Sequence, residues 1–179
     1  MGFVCAKEES VTVQRIIKKN AFFVILKMLA VNLGKFKKMT SQIIYKGELR
    51  TEAIHLQSGT KIETDAPVDN QGKGEKFSPT DLLATSLGNC MMTIMGIKAR
   101  DMNVDLTNTK IGITKIMKSD PRRVGGINVE FHFPEELNLN DKQMAILENA
   151  ALTCPVAKSI HPDIELNVKF NWNAVIAGE

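Results

Sequence analysis

The chain has 179 residues, of which 44 % are hydrophobic and 24 % are charged, with 23 Lys and Arg against 20 Asp and Glu. These values predict one globular domain with ample material for a core. Residues 1–38 hold eight basic and two acidic side chains, so the remaining 141 residues carry a net charge of −3. This distribution argues against a nucleic-acid-binding surface on residues 39–179.

The chain contains three cysteines, Cys5, Cys90 and Cys154. Their spacing is too wide for a CxxC redox pair or a zinc ribbon. Their number is odd and too small for a secreted disulfide scaffold. We therefore predict a cytoplasmic, reducing location in which any disulfide is transient.

The first 38 residues carry an apolar run that Lys27 interrupts, between basic flanks. The run is shorter than the roughly 20 residues that a membrane-spanning helix needs. We predict a basic extension outside the fold, with Met39 as the natural first residue and residues 39–179 as the domain. The alternative is a membrane-surface anchor formed by residues 11–38.

Five segments of the domain have the β-branched content or the alternation of apolar residues that is typical of strands. They are "SQIIYKGELRTEAIHL", "TKIETDAP", "TKIGITKIM", "INVEFHF" and "IELNVKFNW". The first two are joined at Ser58-Gly59, and the third and fourth flank the predicted turn "SDPRRVGG".

Two helices are predicted between these strands. The first begins at "SPTD", where Ser78 and Asp81 form a capping-box pattern, and residues 82–97 carry no charge. A helix without a solvated face is predicted to be buried on all sides, which suggests a central helix that a second chain could cover. The second helix runs through "NDKQMAILENAALTCPVAKSI". The order β-β, α, β-β, α, β predicts an α+β fold with an antiparallel sheet and one buried helix.

Cys90 and Cys154 are each plausible core residues, since free cysteine is among the most buried residue types. Two features favour a functional role instead. Pro155 follows Cys154 and would bend the helix there. Ser86, Asn89 and Thr93 surround Cys90 on the helix, and with the apolar residues they could form a small polar pocket.

The segment "FSPTDLLATSLGNCMMTIMGIKARD", followed 64 residues after its cysteine by "CPVAKSIHPDIELNVKF", resembles the OsmC/Ohr family. The resemblance extends from about Met39 to the C-terminus. It implies the fold described above, thiol-dependent peroxidase activity on organic hydroperoxides, and an intertwined homodimer with two active sites at the subunit interface.

Carried over by position, the resemblance makes Cys90 the peroxidatic cysteine and Cys154 the resolving cysteine. The Ohr branch has a glutamate ten positions before the first cysteine, where this chain has Thr80, followed by Asp81. That branch also uses an arginine from the N-terminal strands, for which Arg50 is the nearest candidate. These departures resemble the YhfA-like branch of the family.

The chemistry implied by the resemblance needs a cation near Cys90, because a free thiol has a pKa near 8.5 and apolar burial raises it. Arg50 is the first candidate, and its alternative is a solvent-facing strand residue. Arg122 and Arg123 are the next candidates, with a solvated loop as their alternative. An external dithiol, in this family often a lipoylated protein, would reduce the resulting disulfide, and no metal or organic cofactor is needed.

Other readings are open to the same residues. A non-enzymatic protein of this fold could bind small apolar molecules or sense oxidants through its two cysteines. The histidines, His55, His132 and His161, match no usual zinc spacing. A cysteine–histidine hydrolase would need a base beside Cys90, and the sequence places none there.

Overall fold

A computed structural model describes residues 39–172. Its elements, numbered here in chain order, are β1 (Ser41–Gly47), β2 (Arg50–His55), β3 (Lys61–Asp65), α1 (Pro79–Asp101), β4 (Lys110–Ser119), β5 (Arg122–His132), α2 (Asp141–Leu152), α3 (Pro155–Ser159) and β6 (Glu165–Asn171). The predicted α+β class is confirmed. The predictions made for residues 1–38, including the extension and the anchor, lie outside the described residues.

The chain divides into two compact units. The described part of the first comprises residues 39–44 and 52–62, and the described part of the second comprises residues 45–51 and 63–172. None of the described residues of the first unit is buried, and several of its large apolar side chains are exposed. They include Met39, Ile43, Ile44, Leu56 and Ile62.

The first predicted strand is in fact two strands. The chain turns at Glu48 and Leu49, which have φ values of 51° and 59°, directly after Gly47 at 87°. Such left-handed backbone is uncommon for residues other than glycine, so neither Glu48 nor Leu49 signals a turn in the sequence. The hydroxyl of Tyr45 accepts a hydrogen bond from the Leu49 backbone N–H at 3.2 Å and supports the turn.

Strands β4, β5 and β6 form one sheet in the order β4-β5-β6. Strands β4 and β5 are antiparallel, as expected, but β6 pairs with β5 in parallel. The chain reaches β6 only after α2 and α3, and such a helical crossover allows a strand to return in the same direction. The predicted turn around Pro121 is only two residues long, so Arg122 and Arg123 belong to β5 rather than to a loop.

One side of α1 packs into the core with the inward side chains of β5. The fully buried residues on this side of α1 include Ala84, Leu87, Met91 and Met95. The opposite side remains open, with Leu83, Asn89, Thr93 and Ile97 exposed. Within the single chain the sheet and α2 cover one side of α1 only, so cover of the other side by a second chain stays a prediction. By length and composition α1 could cross a membrane, a test that core helices also pass.

The helix boundaries follow the caps. Ser78 accepts a hydrogen bond from the Asp81 backbone N–H at 3.1 Å, and the Asp81 carboxylate accepts one from the Ser78 backbone N–H at 2.7 Å. This confirms the predicted capping box. The second predicted helix is divided: α2 ends at Leu152, and Cys154 is the N-cap of α3. Pro155 lacks a backbone N–H, so it begins a helix more readily than it continues one.

Candidate functional site

The structure brings Cys90 and Cys154 together in the second unit. Cys90 lies in the middle of α1 and is half-buried, whereas Cys154 precedes α3 and has no exposed surface. Cys90 packs against the buried cluster to which Cys154 belongs. Both thiols are free, and Cys90 lies close enough to Cys154 to raise the pKa of its thiol. The fold therefore joins two residues that are 64 positions apart in the chain.

The environment of Cys154 keeps it protonated. Burial raises the pKa of this thiol, and the backbone N–H of Ala157, which donates to its Sγ at 3.4 Å, works in the opposite direction. The neighbouring Cys90 raises the pKa further, and the pKa of Cys154 lies above its ordinary value. Cys154 is thus a poor nucleophile at neutral pH, because the thiolate and not the thiol is the attacking form.

The wall around the two thiols is apolar. Leu87 and Met91, on either side of Cys90 along α1, are fully buried, and Leu147 and Ala151 of α2 are buried in the same cluster. The two thiols and this wall are called the thiol region below.

Arg50, the predicted activating cation, lies at the start of β2 and binds two carboxylates. Its Nε donates to Asp65 Oδ1 at 2.6 Å, and its Nη2 donates to Asp65 Oδ2 at 2.7 Å and to Glu75 Oε2 at 2.6 Å. These hydrogen bonds raise the pKa of the guanidinium and hold the pKa of Asp65 below its usual value. Arg50, Asp65 and Glu75 are called the guanidinium cluster below.

A second polar network surrounds the start of α1. The ammonium group of Lys115 on β4 donates to Asp81 Oδ1 at 2.7 Å, to Thr80 Oγ1 at 3.0 Å and to Ser78 Oγ at 3.3 Å. Partial burial acts to raise the pKa of Asp81, but the hydrogen bonds from Lys115 and Ser78 outweigh it and lower that pKa. Lys115 is therefore committed to the helix start, ten residues before Cys90.

The other candidate cations are also paired with carboxylates. Arg122 donates to Asp69 at 3.0 Å, and Arg123 donates to Asp163 at 3.3 Å. Within residues 39–172, no arginine or lysine donates a hydrogen bond to either thiol, and Cys154 Sγ accepts from a backbone amide. In the same part of the chain, no three His, Cys, Asp or Glu side chains are grouped to hold a metal ion.

A cavity of about 370 Å³ lies beside the start of α1, in the second unit. Its lining includes Thr64, Asp65 and Ser78, which are the buried polar residues of the described chain. Apolar atoms from Leu49 and Met117 complete part of its wall. The cavity thus offers a mostly apolar space with a few polar groups, as small-molecule sites do.

Sequence reasoning missed the partners of Arg50 and the role of Lys115. The first had a signal in the predicted turn at Ser58-Gly59, because an antiparallel hairpin about that turn places Arg50 opposite Asp65. The hydrogen bonds from the His55 backbone N–H to Thr60 and between Thr51 and Thr64 agree with this register. Side chains directly opposite on antiparallel strands share a face and can pair. Lys115 had no comparable signal, since 34 residues separate it from Asp81.

Residues 72–169 match the family model of the OsmC-like proteins. A crystal structure from Psychrobacter arcticus, of a protein named for osmotic stress induction and a detoxification response, is 59 % identical and has a TM-score of 0.72. The match covers 76 % of this chain and 99 % of the Psychrobacter chain. No curated protein sequence matches the chain significantly.

Two more distant structures share the fold. An organic hydroperoxide resistance protein OsmC from Legionella pneumophila is 16 % identical, with a TM-score of 0.58, over 75 % of this chain and 98 % of its own. A Vibrio cholerae protein named for organic hydroperoxide resistance, with captopril in one of its active sites, is also 16 % identical with a TM-score of 0.58. That match covers 79 % of this chain and 96 % of the Vibrio chain.

Proposed function

The chain belongs to the OsmC-like family, and we propose that it is a thiol-dependent peroxidase that reduces organic hydroperoxides, with Cys90 as the peroxidatic and Cys154 as the resolving cysteine. One observation carries this proposal: a half-buried thiol and a fully buried thiol are neighbours within an apolar wall. Two thiols in such a pair can react in sequence, whereas two unrelated core cysteines need not meet.

The reaction begins with the Cys90 thiolate. Its sulfur attacks one oxygen of the hydroperoxide, the O–O bond breaks, and the alkoxide takes a proton and leaves as an alcohol. Cys90 is then a sulfenic acid. The Cys154 sulfur attacks it, water leaves, and a disulfide forms. A dithiol reduces the disulfide by two exchange steps and is itself oxidised to a disulfide.

The unequal burial of the two thiols supports this order. Cys90 has exposed surface, so a substrate reaches it first, while Cys154 has none. The raised pKa of Cys154 keeps it protonated, so it does not compete for the hydroperoxide. The apolar wall suits an alkyl hydroperoxide better than hydrogen peroxide, because it receives an alkyl group without leaving polar atoms unpaired.

The proposed enzyme is a cytoplasmic homodimer. Apolar side chains remain open on α1 and on the first strands of the single chain, and a second copy could cover them. Examples are Leu83, Ile97, Ile43 and Tyr45. We propose further that Arg50 supplies the cation in the assembled site, since the described lysines and arginines of one chain leave the thiols without a charged donor.

The test is steady-state turnover of cumene hydroperoxide by the full chain with dihydrolipoamide. We expect repeated turnover by the parent, none by Cys90→Ser, and a single oxidation without recycling by Cys154→Ser. Parent activity no higher than that of Cys90→Ser would contradict the proposal. Size-exclusion chromatography with light scattering on the same samples tests the dimer.

The cavity at the start of α1 favours a second candidate, a non-enzymatic protein that binds a small apolar molecule or senses oxidants. About 370 Å³ is enough for a compact ligand. Under this function, hydroperoxide oxidises each chain once and the reaction then stops, even with excess dithiol. The same turnover assay therefore separates the two functions.

A further inference from the structure

The guanidinium cluster holds one cation between two unlike carboxylates. Asp65 meets Arg50 with both oxygens, at 2.6 and 2.7 Å, which is the two-pronged geometry that fixes the plane of a guanidinium group. Glu75 meets it with one oxygen, at 2.6 Å, and shares Nη2 with Asp65. The backbone N–H of Glu75 also donates to Asp65 Oδ2 at 3.2 Å.

The two carboxylates differ most in their exposure. The Asp65 side chain is 2 % exposed, whereas that of Glu75 is 61 % exposed. A buried carboxylate that loses its cation is left as an uncompensated charge, so Asp65 and Arg50 hold each other in place. An exposed carboxylate that leaves is solvated by water at once, so the contact between Glu75 and Arg50 is exchangeable.

The net charge of the cluster also distinguishes Glu75 from Asp65. With both in contact, one positive and two negative groups give the cluster a net charge of −1. Lys73 acts on Asp65 through space without a hydrogen bond to it, so it is not counted in the cluster. When Glu75 leaves, a neutral Arg50–Asp65 pair remains, and the N–H of Nη2 that Glu75 had accepted from can donate to another anion.

Resting on the proposed function, in which Arg50 assists Cys90, we infer that Asp65 is a positioning residue that holds Arg50. We infer also that Glu75 is an exchangeable counter-ion that gives way to the reacting thiolate. Asp65 acts through Arg50, since the described hydrogen bonds of its carboxylate come from Arg50 and Glu75 and from neither thiol. Glu75 lowers the reactivity of the resting enzyme, because it occupies the donor that an anionic sulfur would use.

The experiment compares two substitutions that each remove one negative charge, Asp65→Asn and Glu75→Gln, in the full chain carrying Cys154→Ser. Peptide-resolved mass spectrometry measures the rate of Cys90 alkylation by iodoacetamide between pH 5 and 10, together with the rate of its oxidation by cumene hydroperoxide. Glu63→Gln is the matched control, because Glu63 is a partly exposed glutamate of β3 that pairs with Lys76 and not with Arg50.

We expect opposite effects from the two substitutions. Glu75→Gln lowers the pH midpoint of Cys90 alkylation by about half a unit and raises its rate at pH 7 about threefold, as removal of a nearby anion does. Asp65→Asn raises the midpoint and slows oxidation about tenfold, since a misplaced Arg50 no longer meets the sulfur. Asp65→Glu restores part of the rate, and Glu63→Gln resembles the parent.

A shift in the same direction for Asp65→Asn and Glu75→Gln would show that only net charge matters and would overturn the inference. If Asp65→Asn does not fold, Glu75→Gln at its exposed position decides alone. A rate of Cys90 alkylation that is unchanged or lower in Glu75→Gln overturns the role of Glu75 as an exchangeable counter-ion. Arg50→Ala separates this inference from the proposed function. If the pH profile of Cys90 alkylation is unchanged in Arg50→Ala while the parent turns over hydroperoxide, the inference is overturned and the peroxidase function stands. If Asp65→Asn and Glu75→Gln shift the profile in opposite directions but the parent shows no turnover, the inference stands and the peroxidase function is overturned.

Discussion

The thiol region and the guanidinium cluster are chemically opposite. The thiol region has two free thiols in an apolar wall, and no described cation donates to them. The guanidinium cluster has three charged groups, Arg50, Asp65 and Glu75, and no nucleophile. The thiol region supplies the oxidisable groups, and the guanidinium cluster supplies the charged groups.

The difference shows what each environment does well. An apolar wall protects a sulfenic acid from water and keeps Cys154 neutral, but it disfavours the thiolate that begins the reaction. A charged cluster is stable only where its ions are paired, and pairing lowers its field elsewhere. The proposed thiol peroxidase activity needs the properties of both regions. The substitutions at Asp65 and Glu75 described above test the guanidinium cluster, and the four predictions below test what holds the thiol region and the start of α1.

The largest effect is expected from removing packing beside the thiol region. Leu147 of α2 has no exposed surface, and Leu147→Ala should lower the free energy of unfolding by about 2–5 kcal/mol through lost burial and a cavity. Leu152, on the same helix, is 46 % exposed, and Leu152→Ala should change it by about 0.5 kcal/mol or less. Urea unfolding measures both. Equal losses would show that packing of α2 does not hold this region.

The next effect concerns the polar start of α1, the helix that carries Cys90 into the apolar wall. Ser78 is 2 % exposed and caps the helix, so Ser78→Ala should cost about 1–2 kcal/mol in unfolding free energy. Asn140 caps α2 with the same box but in an exposed position, and Asn140→Ala should cost about 0.5–1 kcal/mol. A larger loss for Asn140→Ala would contradict the view that burial makes the cap of α1 the more important.

A smaller effect is expected at α3, where the thiol region provides its own cap. Cys154 Sγ accepts the Ala157 backbone N–H, and Cys154→Ala removes this acceptor while Cys154→Ser retains one. Hydrogen exchange followed by NMR should show the Ala157 amide exchanging several-fold faster in the alanine variant, equivalent to about 1 kcal/mol or less. Equal exchange in both variants would mean that the sulfur does not cap α3.

The smallest effect is expected in acid. The pKa of Asp81 is lower in the folded chain than its ordinary value near 3.9, so its charged form stabilises the fold above about pH 4. That stabilisation is lost as pH falls through the lowered pKa. Asp81→Asn should therefore lose less stability than the parent between about pH 5 and pH 2, by a small amount because Asp81 is partly exposed. Superimposable acid profiles of the parent and the variant would contradict this account.

Several features of the fold could be predicted because they depend on neighbours within a few residues. The capping box of Ser78 and Asp81, the alternating strand β5 and the effect of Pro155 all follow from local steric and hydrogen-bonding rules. The turn at Glu48 and Leu49 was missed because prediction of turns relies on local residue preferences. These two residues adopt left-handed backbone without the usual glycine or asparagine.

The candidate site was predicted only in part. Cys90 and Cys154 were paired through the likeness of two motifs to a known family, while local periodicity alone would have left each as a core residue. Helical periodicity indicated that both are inward-facing, but the unequal exposure of their sulfurs appears only when α1 and α3 are packed. The uncharged sequence of α1 predicted cover beyond one chain, but only packing decided which side of the helix the sheet and α2 contact.

The sequence by itself therefore determined the α+β class, the start of α1 at its capping box and the presence of two motif cysteines. Only the tertiary structure decided that β6 runs parallel to β5, that Asp65 and Glu75 both bind Arg50, and that Lys115 binds Asp81. The physical reason is distance along the chain. Torsional preferences and caps act over a few residues, whereas a contact between distant residues exists only once packing has fixed where their backbones lie.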